Sequence, residues 1–277
     1  MKYVICNGHE GEPGAYMDRA IFQGNPHLII EGLIIGGYAI GAKQGFIYTR
    51  HDMPRLRENI DIALEAAREH GFIGNDILGS GFDFDIEVHL DVGIFVSGEA
   101  SALMRSIEGK APEPRPKYTR TAVKGIWERP SNLNNVETWA NVPQIIGKGA
   151  DWYLGIGSEG SKGTKMISLS GNIVNSGVVE VPFGTSLKEI VYDIGGGIPN
   201  GKKLKAIHFG AAMGGSLPAE LIDTPLDFDV MSKLGAAIGA GGLFVMDEDT
   251  SMVEMNRFFL EFLADESCGK CVPCREG

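Results

Sequence analysis

At 277 residues, with 43% hydrophobic and 22% charged side chains, the chain is long enough for one large domain or for two to three smaller ones, each with its own core. A net charge of −11 argues against a surface for nucleic acid or anionic membrane, since either needs a clustered positive face and the basic residues are scattered apart from Lys202, Lys203 and Lys205. No apolar run reaches the roughly 18–20 residues needed to span a bilayer, and Met1–Cys6 lacks the basic and apolar regions of a signal peptide, so the expectation is a cytoplasmic protein without membrane insertion.

The chain opens on KYVIC (2–6), a β-rich run with no helix or linker before it, so its beginning reads as cut from something longer. After the loop NGHEGEPGAYMDR, the segment 26–45 carries Leu28, Ile30, Leu33, Ile34 and Ile40 at the spacing of a largely buried helix, with Pro26 near its start and Gly45 past its end. FIYT (46–49) predicts a strand, 54–71 an amphipathic helix ending at Gly71, and DFDIEVHL (83–90) an alternating strand. This β-α-β-α-β order implies a parallel sheet covered by helices, with loops at the strand ends open to ligands. SGEASALMRSIEG (97–109) predicts a helix opened by Ser97 and Gly98, and 134–149 another with Asn134 or Asn135 near its start; the proline-rich APEPRPKYTRTA between them is a loop.

A composition change at Ser158–Gly163 marks a domain boundary. Beyond it TKMISLSG and GVVEVPFG predict strands, TSLKEIVYDIGGG a short helix capped by Thr185 or Ser186, and KLKAIHFG and GLFVMD two more strands; this order suits a small β-grasp module. Residues 248–267, with Met252, Met255, Phe259 and Phe262 at helical spacing, form an amphipathic helix leading to Cys268.

Chemistry concentrates in three places. ESCGKCVPCREG (266–277) sets Cys268, Cys271 and Cys274 at C-x2-C-x2-C spacing, and the only other cysteine is Cys6. A structural zinc site or free thiols would be the bland account; three cysteines so close, with no histidine beyond His208, favour an iron–sulfur cluster, which wants four. CNGHEGEPGAYMDR gathers Asn7, His9, Glu10 and Glu12 on a glycine-rich path, either a solvated acidic turn or a set of groups able to hydrogen-bond a redox ring and a nicotinamide amide. The helix opened by SGEAS could hold a phosphate, and of Asn134 and Asn135 one could cap a helix while the other faces a ligand.

In this chain order, CNGHEGEPGAYMDR, VSGEASALMRSIEGK, LNNVETWANVP, the β-grasp segment and ESCGKCVPCREG resemble the FMN- and NADH-binding flavoprotein subunit of respiratory complex I. The resemblance extends to its relatives in NAD-linked hydrogenases, electron-bifurcating ones included, and in formate dehydrogenases. It implies an α/β fold with a Rossmann-like FMN/NADH-binding domain over 1–160, a β-grasp domain over 161–247 and the start of a helical 4Fe–4S domain over 248–277. It also implies that a glycine-rich loop precedes Lys2 and that the fourth cluster cysteine follows Gly277, making these residues the middle of a longer protein.

Residue by residue, the resemblance implies that Asn7, Glu10, Gly98, Glu99, Asn134 and Asn135 surround FMN, that Glu12 and Lys117 face the nicotinamide nucleotide, with Glu12 orienting it, and that Cys268, Cys271 and Cys274 ligate a [4Fe–4S] cluster; His9, in the first of these loops, is a further cofactor-binding candidate. The implied activity is oxidoreduction between NAD(H) or NADP(H), FMN and the cluster. Electrons then pass to partner subunits such as a 2Fe–2S thioredoxin-like, hydrogenase or ferredoxin-type subunit. Several positions depart from the family pattern: His9 stands for an aspartate, Phe95 for a tyrosine and Ala100 for a second glutamate, and Tyr118 and Thr119 replace a proline pair. They motivate the alternative of a degenerate paralogue that serves as an iron–sulfur scaffold or relay without nucleotide turnover.

Overall fold

Strand β1 (Tyr3–Gly8) is flanked on both sides in a four-stranded parallel sheet with β2 (Gln44–Thr49), β3 (Asp85–Leu90) and β4 (Ser131–Asn135), in the order β3-β2-β1-β4; the computed structural model describes residues 1–116 and 118–277. Cys6 stands opposite Ile47 and Asn134, and Asn7 opposite Tyr48 and Asn135, so the carboxyl ends of all four strands come to one edge. Alternation along β1 sends its side chains to two cores. Val4 and Cys6 join Ile29, Leu33 and Ile60 from helices α2 (Pro26–Ile40) and α3 (Pro54–Glu69). Tyr3 and Ile5 join Leu103, Met104 and Ile107 of α4 (Ala100–Ile107). Both faces are thereby covered, as an all-parallel sheet requires. Helices α1 (Met17–Gly24) and α5 (Val136–Lys148) leave from the same edge, and the Trp139 indole of α5 donates to the Ile5 carbonyl at 2.9 Å.

Several boundaries differ from expectation. Helix α2 stops at Ile40 because Gly41, at φ 68°, turns left-handed and its cap bonds close on Gly37 and Tyr38. Gly45 lies inside β2, where a Cβ would stand 2.8 Å from the Phe84 ring. Asn134 and Asn135 end strand β4, and the helix begins only at Val136. Ser97 and Gly98 belong to a short helical turn, Phe95–Gly98, and Glu99 caps α4.

The chain falls into two units: Met1–Gly11, Asp18–Gly147 and Glu266–Gly277 form one, and Glu12–Met17 with Lys148–Asp265 the other. The second unit starts with a short helix α6 (Ala150–Leu154) and builds a mixed sheet from β5 (Thr164–Gly171), β6 (Gly177–Pro182), β7 (Leu204–Phe209), β8 (Gly215–Pro218) and β9 (Gly242–Asp247). Their order is β6-β5-β9-β7-β8, with β5 and β9 parallel and the other neighbours antiparallel. The helical turn Glu189–Ile194, whose first N–H is received by the Ser186 hydroxyl, buries Ile190 and Val191 with Ile167, Leu169, Phe209 and Val245. Strand β8 and helix α7 (Phe228–Lys233) are elements that hydrophobic alternation did not mark. Helix α8 (Met252–Asp265) stacks Phe259 on His208 with ring centroids 4.5 Å apart. The last helix, α9 (Val272–Glu276), lies in the first unit. Among the described residues no helix is long and apolar enough to cross a membrane.

Close packing of α2 on α5 rests on glycine: a Cβ at Gly32 would stand 2.2 Å from the Trp139 carbonyl oxygen. Gly32→Ala is expected to lower unfolding stability by about 1–3 kcal/mol through overpacking. Gly24→Ala, where the same atom meets nothing within 4 Å, serves as the control and should not destabilise. Denaturant unfolding of the two variants checks the pair.

Candidate functional site

At the carboxyl edge of the parallel sheet, Asn7 is held from three directions. Its amide donates to the Gly98 carbonyl at 2.9 Å, its side-chain oxygen accepts the His9 N–H at 3.1 Å, and its own carbonyl accepts Asn135 at 3.3 Å. Asn135 also donates to Asp18 at 2.7 Å, and its side-chain oxygen accepts the Glu137 N–H at 2.9 Å, so it does cap α5 from the end of the strand. Asn134 donates to Asn132 at 2.8 Å. The structure thus brings Asn7, His9, Gly98 and Asn135 to one place, with Asn134 beside them.

Two of the carboxylates near this edge, Glu10 and Glu99, sit at helix starts. Glu10 is buried and receives the Asp18 and Arg19 N–H groups at 2.9 and 3.2 Å, at the start of α1. Glu99 receives the Ser101 and Ala102 N–H groups at 2.9 and 3.0 Å. Each stabilises the positive end of its helix while fixing the loop that precedes it. Glu12 belongs to the second unit, where its carbonyl accepts the Ala15 N–H at 3.2 Å in a tight turn. Lys117 lies outside the described residues.

His9 explains why its neighbours are glycines. A Cβ at Gly98 would stand 2.7 Å from His9 Nδ1, and one at Gly11 2.8 Å from its Cε1. The imidazole is 2% exposed, and its Nε2 lies 2.9 Å from Asp91 Oδ2, a close polar contact rather than an aligned hydrogen bond. The other oxygen of Asp91 accepts both the ring Nδ1 and the backbone N–H of His51, at 2.7 and 3.0 Å. Burial alone would raise the Asp91 pKa; the contacts from His9 and from the His51 ring and backbone override it and hold the carboxyl well below the usual range. Asp91 and His51 were missed in the sequence. The available signal was position: Asp91 directly follows β3 and His51 comes two residues after β2, at the edge where ligands bind in such folds.

A cavity of about 850 Å3 opens beside α4 and is lined by Glu99, Ser101, Arg115, Tyr118, Arg120 and Lys124 among others. Hydroxyl donors and three cations around a helix start fit a phosphorylated nucleotide or flavin.

The three thiols of Cys268, Cys271 and Cys274 are exposed and free. Gly269, at φ +70°, lets the backbone reverse between the first two, and the Cys271 carbonyl receives the Cys274 and Arg275 N–H groups at 3.1 and 3.0 Å. Three soft donors on one turn fit three positions of a four-thiolate cluster. Among the described residues no three metal-binding side chains are already gathered on one point. Cys6 does not complete the set: it is fully buried in β1, where burial and then the Asp18 carboxylate push its thiol pKa up and keep it neutral.

Comparison with known proteins follows the same division. The family described as the Nuo51 FMN-binding domain matches residues 1–144. The chain belongs to this family. The NADH-ubiquinone oxidoreductase-F iron-sulfur binding region matches residues 254–277. Across all of its length the chain is 50% identical to the NADP-reducing hydrogenase subunit HndC of Solidesulfovibrio fructosivorans and covers 56% of that protein. It is 39% identical to an NADH-quinone oxidoreductase subunit of Escherichia coli (strain K12), covering 62% of it. It therefore spans less than two thirds of either relative. A solved NAD+-reducing [NiFe]-hydrogenase in the H2-reduced state superposes with a TM-score of 0.89 at 31% identity, over 99% of this chain and 45% of that one. Membership in the Nuo51 family agrees with the mixed α/β architecture, in which one sheet is parallel and the other mixed.

Because the folded-state pKa of Asp91 is depressed, its contribution to stability is present above its unfolded value and is lost as pH falls below about 4. Asp91→Asn is expected to flatten that acid limb and to lower stability at neutral pH by about 1–3 kcal/mol. Denaturant unfolding at a series of pH values from 7 downwards reads both effects.

Proposed function

We propose that this chain is the flavin- and cluster-bearing part of an NAD(P)H:acceptor oxidoreductase subunit. The observation that carries the proposal is that the three-cysteine turn falls in the same structural unit as the sheet edge bearing Asn7, Gly98, Glu99 and Asn135. Bound FMN exchanges electrons in pairs with a nicotinamide nucleotide and singly with an iron–sulfur cluster.

The chain's own residues bind and orient. Cys268, Cys271 and Cys274 hold three corners of a [4Fe–4S] cluster. Asn7, His9, Gly98, Asn134 and Asn135 surround the flavin. Glu10 and Glu99 shape its loops through the helix starts they cap. Glu12 orients the nicotinamide, and Lys117, in the same stretch of sequence as the cavity-lining Arg115 and Arg120, faces the nucleotide. No side chain has to act as nucleophile or general acid, because the reacting centres belong to the cofactors.

The finer architecture we assign is a Rossmann-like FMN/NADH-binding domain over 1–160, a β-grasp domain over 161–247 and the start of a helical 4Fe–4S domain over 248–277. The parallel sheet supports the first, the five-stranded mixed sheet with its packed helical turn the second, and α8 leading to Cys268 the third. The related proteins are named as subunits, which supports partner subunits of the 2Fe–2S thioredoxin-like, hydrogenase or ferredoxin type. Four free cysteines, three of them exposed, support a reducing compartment and hence the cytoplasm.

The test is an anaerobic absorbance spectrum of the full-length protein that contains this chain, before and after NADH or NADPH. Bleaching of both flavin and cluster bands is expected, and Cys271→Ser should remove the cluster band while leaving the flavin band. A cluster band that neither nucleotide changes, with no flavin present, overturns the oxidoreductase proposal and leaves an iron–sulfur scaffold.

A further inference from the structure

Two charged side chains beside the cysteines reach out of the turn and grip the segments on either side of Gly98–Glu99. Glu266 accepts the Phe95 N–H at 2.8 Å. Lys270, between Cys268 and Cys271, donates to the Pro114 carbonyl at 2.8 Å and lies 3.4 Å from the Glu113 carboxylate. Both landing points are themselves tied to α4. Phe95 opens the turn Phe95–Gly98 that ends in the Glu99 cap. Arg115, next to Pro114, donates its N–H to the Ser101 hydroxyl at 2.7 Å, and Arg105 holds the Ala111 carbonyl at 2.9 Å. Residues 270–277 are all exposed, so burial does not fix the turn, whereas these two contacts do.

We propose that Glu266 and Lys270 are positioning residues that set the separation between the cysteine turn and the flavin loop, and that the rate of electron handover depends on them. The inference rests on the function proposed above. The step is a single-electron transfer: one electron leaves the reduced flavin and enters the cluster, which becomes reduced, and no bond forms or breaks. Electronic coupling falls steeply with distance, so a turn released from its anchors hands over electrons slowly even when every cofactor is in place. The Lys270 contact is exposed and the Glu266 contact part-buried, and neither belongs to a hydrophobic core, so their loss should leave the fold intact.

Full-length holoprotein is mixed rapidly with NADH or NADPH, and the flavin and cluster bands are followed separately in wild type, Glu266→Ala, Lys270→Ala and Glu266→Gln. The alanine variants should keep wild-type iron content and flavin bleaching, while cluster bleaching slows by about tenfold or more. Glu266→Gln retains an oxygen for the Phe95 N–H and should restore the rate. Without any nucleotide, hydrogen exchange at the Phe95 amide should quicken in Glu266→Ala and not in Glu266→Gln. Wild-type cluster bleaching in both alanine variants, loss of iron from either, or a glutamine variant as slow as the alanine one would each overturn the proposal. Wild-type protein lacking a flavin or cluster band before any substitution would instead sink the underlying function, and this inference with it.

Discussion

Everything at the candidate site depends on how the end of β1 is tied. Asn7 is the last side chain of the strand before Gly8, and its amide, its side-chain oxygen and its carbonyl are each engaged, with Gly98, His9 and Asn135 respectively. An asparagine is suited to this because it offers both donors and an acceptor on one short, stiff stem. Parallel pairing then does the rest: neighbouring strands in register deliver the loops after β2, β3 and β4 to the same edge, so groups far apart in sequence meet there. The bond from Asn7 to Gly98 joins residues 91 positions apart, and that from Asn135 to Asn7 joins residues 128 apart.

His9 extends this logic to electrostatics. The resemblance to the family marks an aspartate at this position, and the imidazole that stands there instead needs a polar partner on its buried side. Asp91 lies against it, and His51 takes the second oxygen, so the carboxylate is shared between one buried and one half-exposed imidazole. Because the ring of His9 fills the space over Gly98 and Gly11, the glycines there answer to a neighbour's volume and not to a turn that demands left-handed backbone. The departure from the pattern is thereby built into the packing.

The sequence made the periodic parts legible. Strands β1, β2, β5, β6, β7 and β9 and helices α3 and α8 show the alternation or helical spacing that burial imposes, and each forms where that pattern lies. What it hid was whatever pattern cannot carry. Strand β4 reads SNLNN, polar at four positions of five, and is a strand because β1 offers it a ladder and not because of its own residues. Strand β8 has four residues, too short for alternation to register. The site was half legible: glycine-rich and cysteine-rich segments announce themselves by spacing, while Asp91, His51 and Asp18 are ordinary polar residues whose meaning comes from what the sheet places beside them.

That contrast also bears on where a bound anion would find its charge. Helix starts attract phosphate, but at α1 and α4 the first N–H groups are already met by Glu10 and Glu99. With those ends neutralised by the protein's own carboxylates, the helix dipoles contribute less to ligand binding than the bare helix starts would. The positive charge that remains around the cavity beside α4 comes from side chains: Arg115, which lies 3.6 Å from Glu108, Lys124, which lies 3.8 Å from Glu128, and Arg120. Guanidinium groups hold phosphate oxygens in a fixed fork and stack on planar rings. In SGEAS, then, it is Glu99 that meets the first N–H groups of the helix, and the cations near this helix start belong to the loop that follows it.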